Sequence, residues 1–232
     1  MSDNPNPKIH AYLAKIGIAS RRKAEEMVAA NRVTINGATA KIGERVKPTD
    51  VIAIDGHAVN STAEKFVYYL INKPIGYVST TSDELGRKNV LSLIPKHSER
   101  LYPVGRLDMG SQGLMLLTND GDLAYKLTHP KFEVPKTYHV KLDREISPKA
   151  YDSLKRGVRL KDGFAVPTEL EQLDADQPGC WLSITVTEGR NRLVRRMCER
   201  VGYEVERLIR VKMGEYTLDQ LEGKTYLQVF PQ

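Results

Sequence analysis

Val104-Gly105-Arg106-Leu107-Asp108-Met109-Gly110-Ser111-Gln112-Gly113-Leu114-Met115-Leu116-Leu117-Thr118-Asn119-Asp120-Gly121-Asp122 sets one acidic side chain, Asp108, beside an arginine in a glycine-rich bend. The bend runs into Leu114–Leu117, an apolar segment that reads as a buried strand, and Asn119 to Asp122 reads as a tight turn. Such a bend holds a carboxylate stiffly at a sheet edge, where it can act on something bound in a cleft. The spacing alone also fits a turn aspartate that caps a backbone amide, with Arg106 as its surface partner. Only the surrounding chain separates these two readings.

Upstream, Phe66-Val67-Tyr68-Tyr69-Leu70-Ile71 is a near-continuous apolar run ended by Asn72-Lys73-Pro74, the pattern of a strand covered on both faces. Further strands are expected at Thr137–Val140, Trp181–Val186 and Glu206–Val211. Helices are expected near Asp122, after Ser147 with Pro148 at the first position, and from Leu193 to Arg200 with Gly202 as the stop. Strands and helices neither alternate strictly nor segregate, so residues 66–232 are expected to form an α+β domain on a mixed, mostly antiparallel sheet.

Residues 7–60 read as a separate small unit. Ile9, Tyr12, Leu13 and Ile16 give one apolar helical face ended by Gly17, and Ser20 caps a second helix carrying Ala24, Met27 and Val28. Arg32–Ile35 and Val51–Ile54 follow as strands, each leading to a turn dipeptide, Asn36-Gly37 and Asp55-Gly56. Residues 61–65 lack apolar periodicity and serve as the linker. Lys15, Arg21, Arg22, Lys23 and Arg32 gather around the helix junction and first strand; exposed there, they form either a solvated surface or a positive face suited to a phosphate backbone.

The 232 residues are 41% hydrophobic and 28% charged, which supports a buried core, and a net charge of +6 favours a polyanionic partner without requiring one. Cys180 and Cys198 are too far apart in sequence for a Cys-x-x-Cys pair, and His10, His57, His97, His129 and His139 show no paired spacing. No metal or organic cofactor is expected. Residues 1–7 contain no apolar signal core, and no run approaches the roughly 20 apolar residues that cross a bilayer. The cytoplasm and no membrane association are the expectation.

Four patterns in order make the reading specific. Ile18-Ala19-Ser20-Arg21-Arg22-Lys23-Ala24-Glu25-Glu26-Met27-Val28 and the two strand-turn segments closely resemble the S4 RNA-binding domain. Gly105-Arg106-Leu107-Asp108, then Lys136-Thr137-Tyr138, then Glu188 to Met197 with Arg207-Leu208-Ile209-Arg210-Val211, resemble the three motifs of the RsuA/RluB/RluE/RluF family of ribosomal RNA pseudouridine synthases. The resemblance runs from Pro7 to Phe230.

This resemblance implies isomerisation of uridine in ribosomal RNA. The reaction breaks the N1–C1′ bond, turns the uracil and rejoins it through C5, with Asp108 as nucleophile. Whether Asp108 forms an adduct at the sugar or drives elimination to a glycal is left open. A carboxylate in a mostly buried pocket needs a cation to offset its desolvation, and the resemblance assigns that cation to Arg195. Helical phase is compatible: Val194, Met197, Cys198 and Val201 form a core stripe, and Arg195 lies about 100° from it. By the same resemblance Tyr138 stacks on the flipped base; Arg106 is the candidate to enter the RNA or meet a flanking phosphate, and Leu208 is either an apolar wall of the uracil pocket or plain core. Arg192 and Arg196 are candidates for phosphate contacts, the alternative being a solvated basic helix face.

Asn191-Arg192-Leu193 stands where relatives often carry histidine or glutamine, which bears on target preference rather than chemistry. The Arg195-Arg196-Met197-Cys198 continuation favours large-subunit RNA, as naked RNA or in a ribosome assembly intermediate, and a monomer is expected. Two alternatives stand beside this reading. One is a non-catalytic S4-type RNA-binding assembly factor, for which Asp108, Tyr138 and Arg195 would be dispensable. The other is a nucleoside hydrolase, which would need a second carboxylate, with Asp120 and Asp122 as candidates.

Overall fold

The computed structural model describes residues 6–59, 65–83, 85–173 and 179–230. The chain divides into two compact units, Met1–Phe66 with Ser98–Arg100, and Val67–His97 with Leu101–Gln232. The linker read at 61–65 falls outside the described residues except for Lys65.

In the first unit, α1 (Ile9–Lys15) and α2 (Arg21–Ala29) pack with β1 (Val33–Ile35), β2 (Ala38–Thr39), β3 (Ile52–Ile54) and β4 (His57–Ala58). The strands form an antiparallel sheet in the order β2-β1-β3-β4. Ser20 Oγ accepts the Lys23 N–H at 3.1 Å, the expected cap of α2. Ile9, Leu13, Ala24, Val28, Val33 and Ile52 make one buried cluster. Asn36-Gly37 and Asp55-Gly56 each place two successive residues at positive φ (51° and 84°, 50° and 82°), the backbone of a two-residue hairpin turn. The strands start one residue later than the sequence indicates. Arg32 turns outward to hydrogen-bond Asp55, and Val51 is exposed.

The second unit is built on β5 (Tyr68–Lys73), β6 (Tyr102–Pro103), β7 (Gln112–Thr118), β8 (Lys136–Leu142), β9 (Val158–Leu160), β10 (Gly163–Ala165), β11 (Glu169–Leu173), β12 (Trp181–Val186), β13 (Val205–Met213), β14 (Tyr216–Thr217) and β15 (Tyr226–Val229). Its helices are α3 (Gly121–Thr128), α4 (Pro148–Arg156) and α5 (Leu193–Arg200). The main sheet runs β11-β12-β8-β13-β7-β5-β15, with β14 on β13 and β6 on β7. Only β7 and β13 pair in parallel among the described strands, so the sheet is mixed and mostly antiparallel, as expected.

The apolar run in β7 has a direct cause. Leu114 and Leu116 join one cluster with Leu127 of α3 and Met213, while Met115 and Leu117 join another with Ile71, Val90 and Leu101. Both faces are covered, so alternation is lost. On the other half of the sheet, Val140, Leu182 and Ile184 pack against Leu154 of α4 and Val194, Met197 and Cys198 of α5. Cys180 and Cys198 are both free and buried.

Three readings are corrected. The first strand of this unit spans Tyr68–Lys73 rather than Phe66–Ile71, because Asn72 and Lys73 continue the pairing, opposite Leu114 and Gly113, and Phe66 is exposed. Asn119 to Asp122 is not a free turn: Asp120 accepts the N–H groups of Asp122 and Leu123 at 3.0 Å each, so it caps α3 and Gly121 begins that helix. The Thr137–Val140 strand extends to Lys136 and Leu142, where β12 and β13 flank it on both sides.

Candidate active site

Where β7 meets β13, Ile209 pairs with Gln112 and Arg210 with Gly113. That junction brings the bend before β7 over the inner face of β8 and β13. The backbone of the bend is tied at several points. Gly105 turns it at φ 73°. Ser79 Oγ donates to the Leu107 carbonyl at 2.7 Å and accepts the Leu107 N–H at 3.1 Å. The Gly76 N–H donates to Met109 O at 2.9 Å, and the Ser111 N–H donates to Asp108 O at 3.0 Å.

Two buried cations complete the tie. Lys73 is fully buried at the end of β5, and its Nζ donates to the carbonyls of Ser111 (2.7 Å), Asp108 (3.1 Å) and Pro74 (3.1 Å). Arg195, on the first turn of α5, donates from Nη2 to Gly110 O at 3.0 Å and from Nη1 to Val205 O at 2.7 Å. All three Lys73 donors are thus spent on main chain. The Asp108 carboxylate itself makes no hydrogen bond among the described residues, and it is half-buried in a cavity of about 340 Å³.

Across the cavity, strand alternation puts Lys136 and Tyr138 on one face of β8 and Leu208 and Arg210 on the same face of β13, and all four line the cavity. Arg106 and Arg192, both exposed, also line it. Charge is lopsided there. Lys73, Lys136, Arg195 and Arg210 are all buried, around a single carboxylate without a hydrogen-bonded partner. Burial lowers the Lys136 pKa, reinforced by Arg210. Burial and then the Arg192 charge lower that of Arg195, while the Asp108 charge opposes them. Arg195 thus feels the Asp108 charge, and it is linked to the Asp108 loop by the hydrogen bond to the Gly110 carbonyl.

Burial holds the Lys73 ammonium down to about 8, with Asp108 opposing and Arg210 adding to the shift. The unfolded chain keeps that proton up to the ordinary value of 10.5. Between the two values the unfolded state binds more protons, so stability increases as pH rises through this window. We expect the stability of the wild type relative to Lys73→Met, measured by urea unfolding, to climb from about pH 8 to about pH 10.5. A difference independent of pH across that range would contradict the assignment.

Of the residues singled out in sequence, Asp108, Arg106, Tyr138, Leu208 and Arg192 converge on the cavity. Leu208 is both wall and core, being 6% exposed and packed with the α5 cluster. Arg195 sits behind the loop rather than in the cavity lining. Arg196 lies outside the cavity and is gripped by Asp162 at 2.8 and 2.9 Å. Asp162 also binds Arg190 at 3.1 Å, which ties the β9–β10 hairpin to the 188–192 segment that lines the cavity. In the first unit Lys15, Arg21, Arg22, Lys23 and Arg32 are all exposed; Lys23 pairs with Glu26 and Arg32 with Asp55.

Sequence reasoning missed Lys73, Lys136 and Arg210. Lys136 and Arg210 lay inside quoted motifs, and the available signal was their strand parity with Tyr138 and Leu208. Among the described residues, the second free carboxylate that a hydrolase would need is not in place. Asp120 is spent on the α3 cap and the Tyr68 hydroxyl, and neither it nor Asp122 lines the cavity. Glu188 does line it but is held by Arg190 at 2.6 and 2.8 Å. What remains is one carboxylate on a fixed backbone, opposite an aromatic ring and an apolar wall.

Comparison with known proteins finds relatives over most of the chain. A family model described as RNA pseudouridylate synthase matches residues 67–200, and an S4 domain model matches residues 8–52. The ribosomal large subunit pseudouridine synthase B of Bacillus subtilis (strain 168) is 41% identical over 93% of this chain and 88% of its own length. The protein of the same name from Escherichia coli (strain K12) is 40% identical over 91% of this chain and 75% of its own. A crystal structure of a pseudouridylate synthase superposes with a TM-score of 0.66 at 24% identity, covering 96% of each chain, and so shares the fold.

Proposed function

The chain belongs to the RNA pseudouridylate synthase family and carries an S4 domain, and we propose that it isomerises a specific uridine of large-subunit ribosomal RNA with Asp108 as the nucleophile. The observation that carries this reading is the Asp108 carboxylate, which makes no hydrogen bond among the described residues and sits on a loop whose backbone is tied by Ser79, Lys73 and Arg195. A nucleophile needs a free lone pair in a fixed direction, and the loop supplies both.

In this reading the target uridine is flipped out of its stack at a cost of a few kcal/mol, and Tyr138 offsets part of it by stacking, worth about 1–3 kcal/mol per base. Leu208 closes the apolar side of the uracil site. Asp108 acts at the sugar as the N1–C1′ bond breaks. The uracil turns and C5 bonds to C1′; C5 then loses its hydrogen and N1 gains one, so the product is an isomer and no redox partner is consumed. Arg195 balances the Asp108 charge from behind the loop. Arg106, Arg192 and Arg196 meet flanking phosphates, and Lys15, Arg21, Arg22, Lys23 and Arg32 dock the RNA on the S4 unit. The protein acts in the cytoplasm as a monomer, on free RNA or an assembly intermediate.

The target is tested with unmodified large- and small-subunit transcripts and assembly intermediates, mapping pseudouridine by carbodiimide-dependent reverse-transcription stops. A new stop confined to the large-subunit RNA is expected. A stop confined to the small-subunit RNA would overturn the target while leaving the chemistry intact.

A further inference from the structure

We propose that a second groove of the catalytic unit, lined by Lys149, Arg159 and Arg200, grips the phosphodiester backbone of the substrate RNA at a distance from the target uridine. This rests on the reading that the cavity at Asp108 takes RNA. The groove has a volume of about 490 Å³ and forms where the first turns of α4, the start of β9 and the end of α5 meet. Its three cations are exposed, and no hydrogen bond or ion pair engages their side chains among the described residues. Among the described residues no carboxylate lines it. Asp152 and Glu199 are adjacent in sequence to lining residues, but Glu199 faces Arg192 at 3.8 Å. The lining hydroxyls are already used: Ser147 caps Ala150 and Ser153 donates to the Lys149 carbonyl. The charge is carried by the three cations.

Its setting distinguishes this groove from a merely solvated basic surface. Arg190, Arg192 and Arg196, nearer the cavity, each have a carboxylate within 4 Å. Lys149, Arg159 and Arg200 do not. Arg196 and Arg200 are four residues apart on one face of α5, and Arg192 is the N-cap at the start of that helix, at φ 49°. Arg192 lines the catalytic cavity and Arg200 lines the groove. Eight residues at 1.5 Å rise separate them by about 12 Å along the helix, a span that one RNA stem covers while its flipped base occupies the cavity. A strand leaving the cavity along this stripe reaches three unpaired cations, which suits a polyanion and offers nothing to an apolar partner.

The test uses the full-length protein and the triple variant Lys149→Gln/Arg159→Gln/Arg200→Gln, whose substitutions are all at exposed positions. A fluorescent large-subunit RNA fragment containing the modified site is titrated at several salt concentrations. Each phosphate contact contributes about 0.7–0.9 to the slope of log affinity against log salt, so the variant slope is expected to be shallower by about two. Single-turnover modification at saturating enzyme stays at the wild-type rate. Arg159→Lys/Arg200→Lys retains the wild-type slope, because charge rather than shape is read. Unchanged affinity and slope in the triple variant overturn the proposal, as would equal weakening toward a minimal stem-loop too short to reach the groove. If the wild type binds with the steep slope but forms no pseudouridine, the groove stands and the enzymatic assignment of the cavity fails.

Discussion

Asp108→Asn is expected to remove turnover while leaving the protein folded and bound to RNA. The carboxylate makes no hydrogen bond among the described residues, and the loop is held through its backbone by Lys73, Ser79 and Arg195, none of which needs the Asp108 side chain. An amide of the same shape therefore leaves the loop in place and removes only the negative charge. We expect product formation to fall by at least about a thousandfold, or about 4 kcal/mol of transition-state stabilisation. RNA affinity should stay within about tenfold, which is 1.4 kcal/mol. Single-turnover assays beside equilibrium binding separate these effects. Parallel loss of binding and turnover would instead mean that the carboxylate holds the site together.

Gly113→Ala is expected to be the most damaging methyl group that can be added to the sheet. A Cβ on Gly113 would lie 2.4 Å from the Arg210 carbonyl oxygen and 2.7 Å from its nitrogen, both main chain, at φ 109°. Neither neighbour can move without separating β7 from β13, the parallel junction that sets the Asp108 loop over Tyr138 and Arg210. The expected cost is about 3 kcal/mol or more, read as a lower urea midpoint, with activity lost even in whatever fraction stays folded. Gly110→Ala is the matched control. Nothing lies within 4 Å of its added Cβ, and a change within about 0.5 kcal/mol is expected. Similar destabilisation by both substitutions would contradict the close approach at Gly113.

The contrast between these two glycines shows what the sequence could and could not disclose. Both sit between Val104 and Asp122, and nothing local marks Gly113 as the closer approach. That property comes from Arg210, 97 residues away in sequence. Locally determined features were legible: the Ser20 and Ser147 caps, the Asn-Gly and Asp-Gly hairpins, and the apolar stripe of α5 all depend on residues a few positions apart. Lys73 was read as a strand terminator because a lysine after an apolar run normally meets water. It is buried instead because three main-chain carbonyls from the Asp108 loop and Pro74 replace that water. Arg195 was placed by motif and by helical phase, but its attachment to Gly110 O depends on a fold that no spacing reveals. Asp108 and Tyr138 were found through their motifs, and the sheet brings them to one cavity.

If Asp108 drives exchange of an N1–C1′ bond for a C5–C1′ bond, tritium release reports it at the reacting atom. Joining C5 to the sugar expels the hydrogen that C5 carried, so RNA labelled at C5 of uridine must release tritium to water as pseudouridine forms. With unmodified large-subunit ribosomal RNA, the wild type is expected to release tritium in step with a newly mapped pseudouridine, and Asp108→Asn to release none above background. Release of free uracil, or release undiminished in Asp108→Asn, would contradict the account.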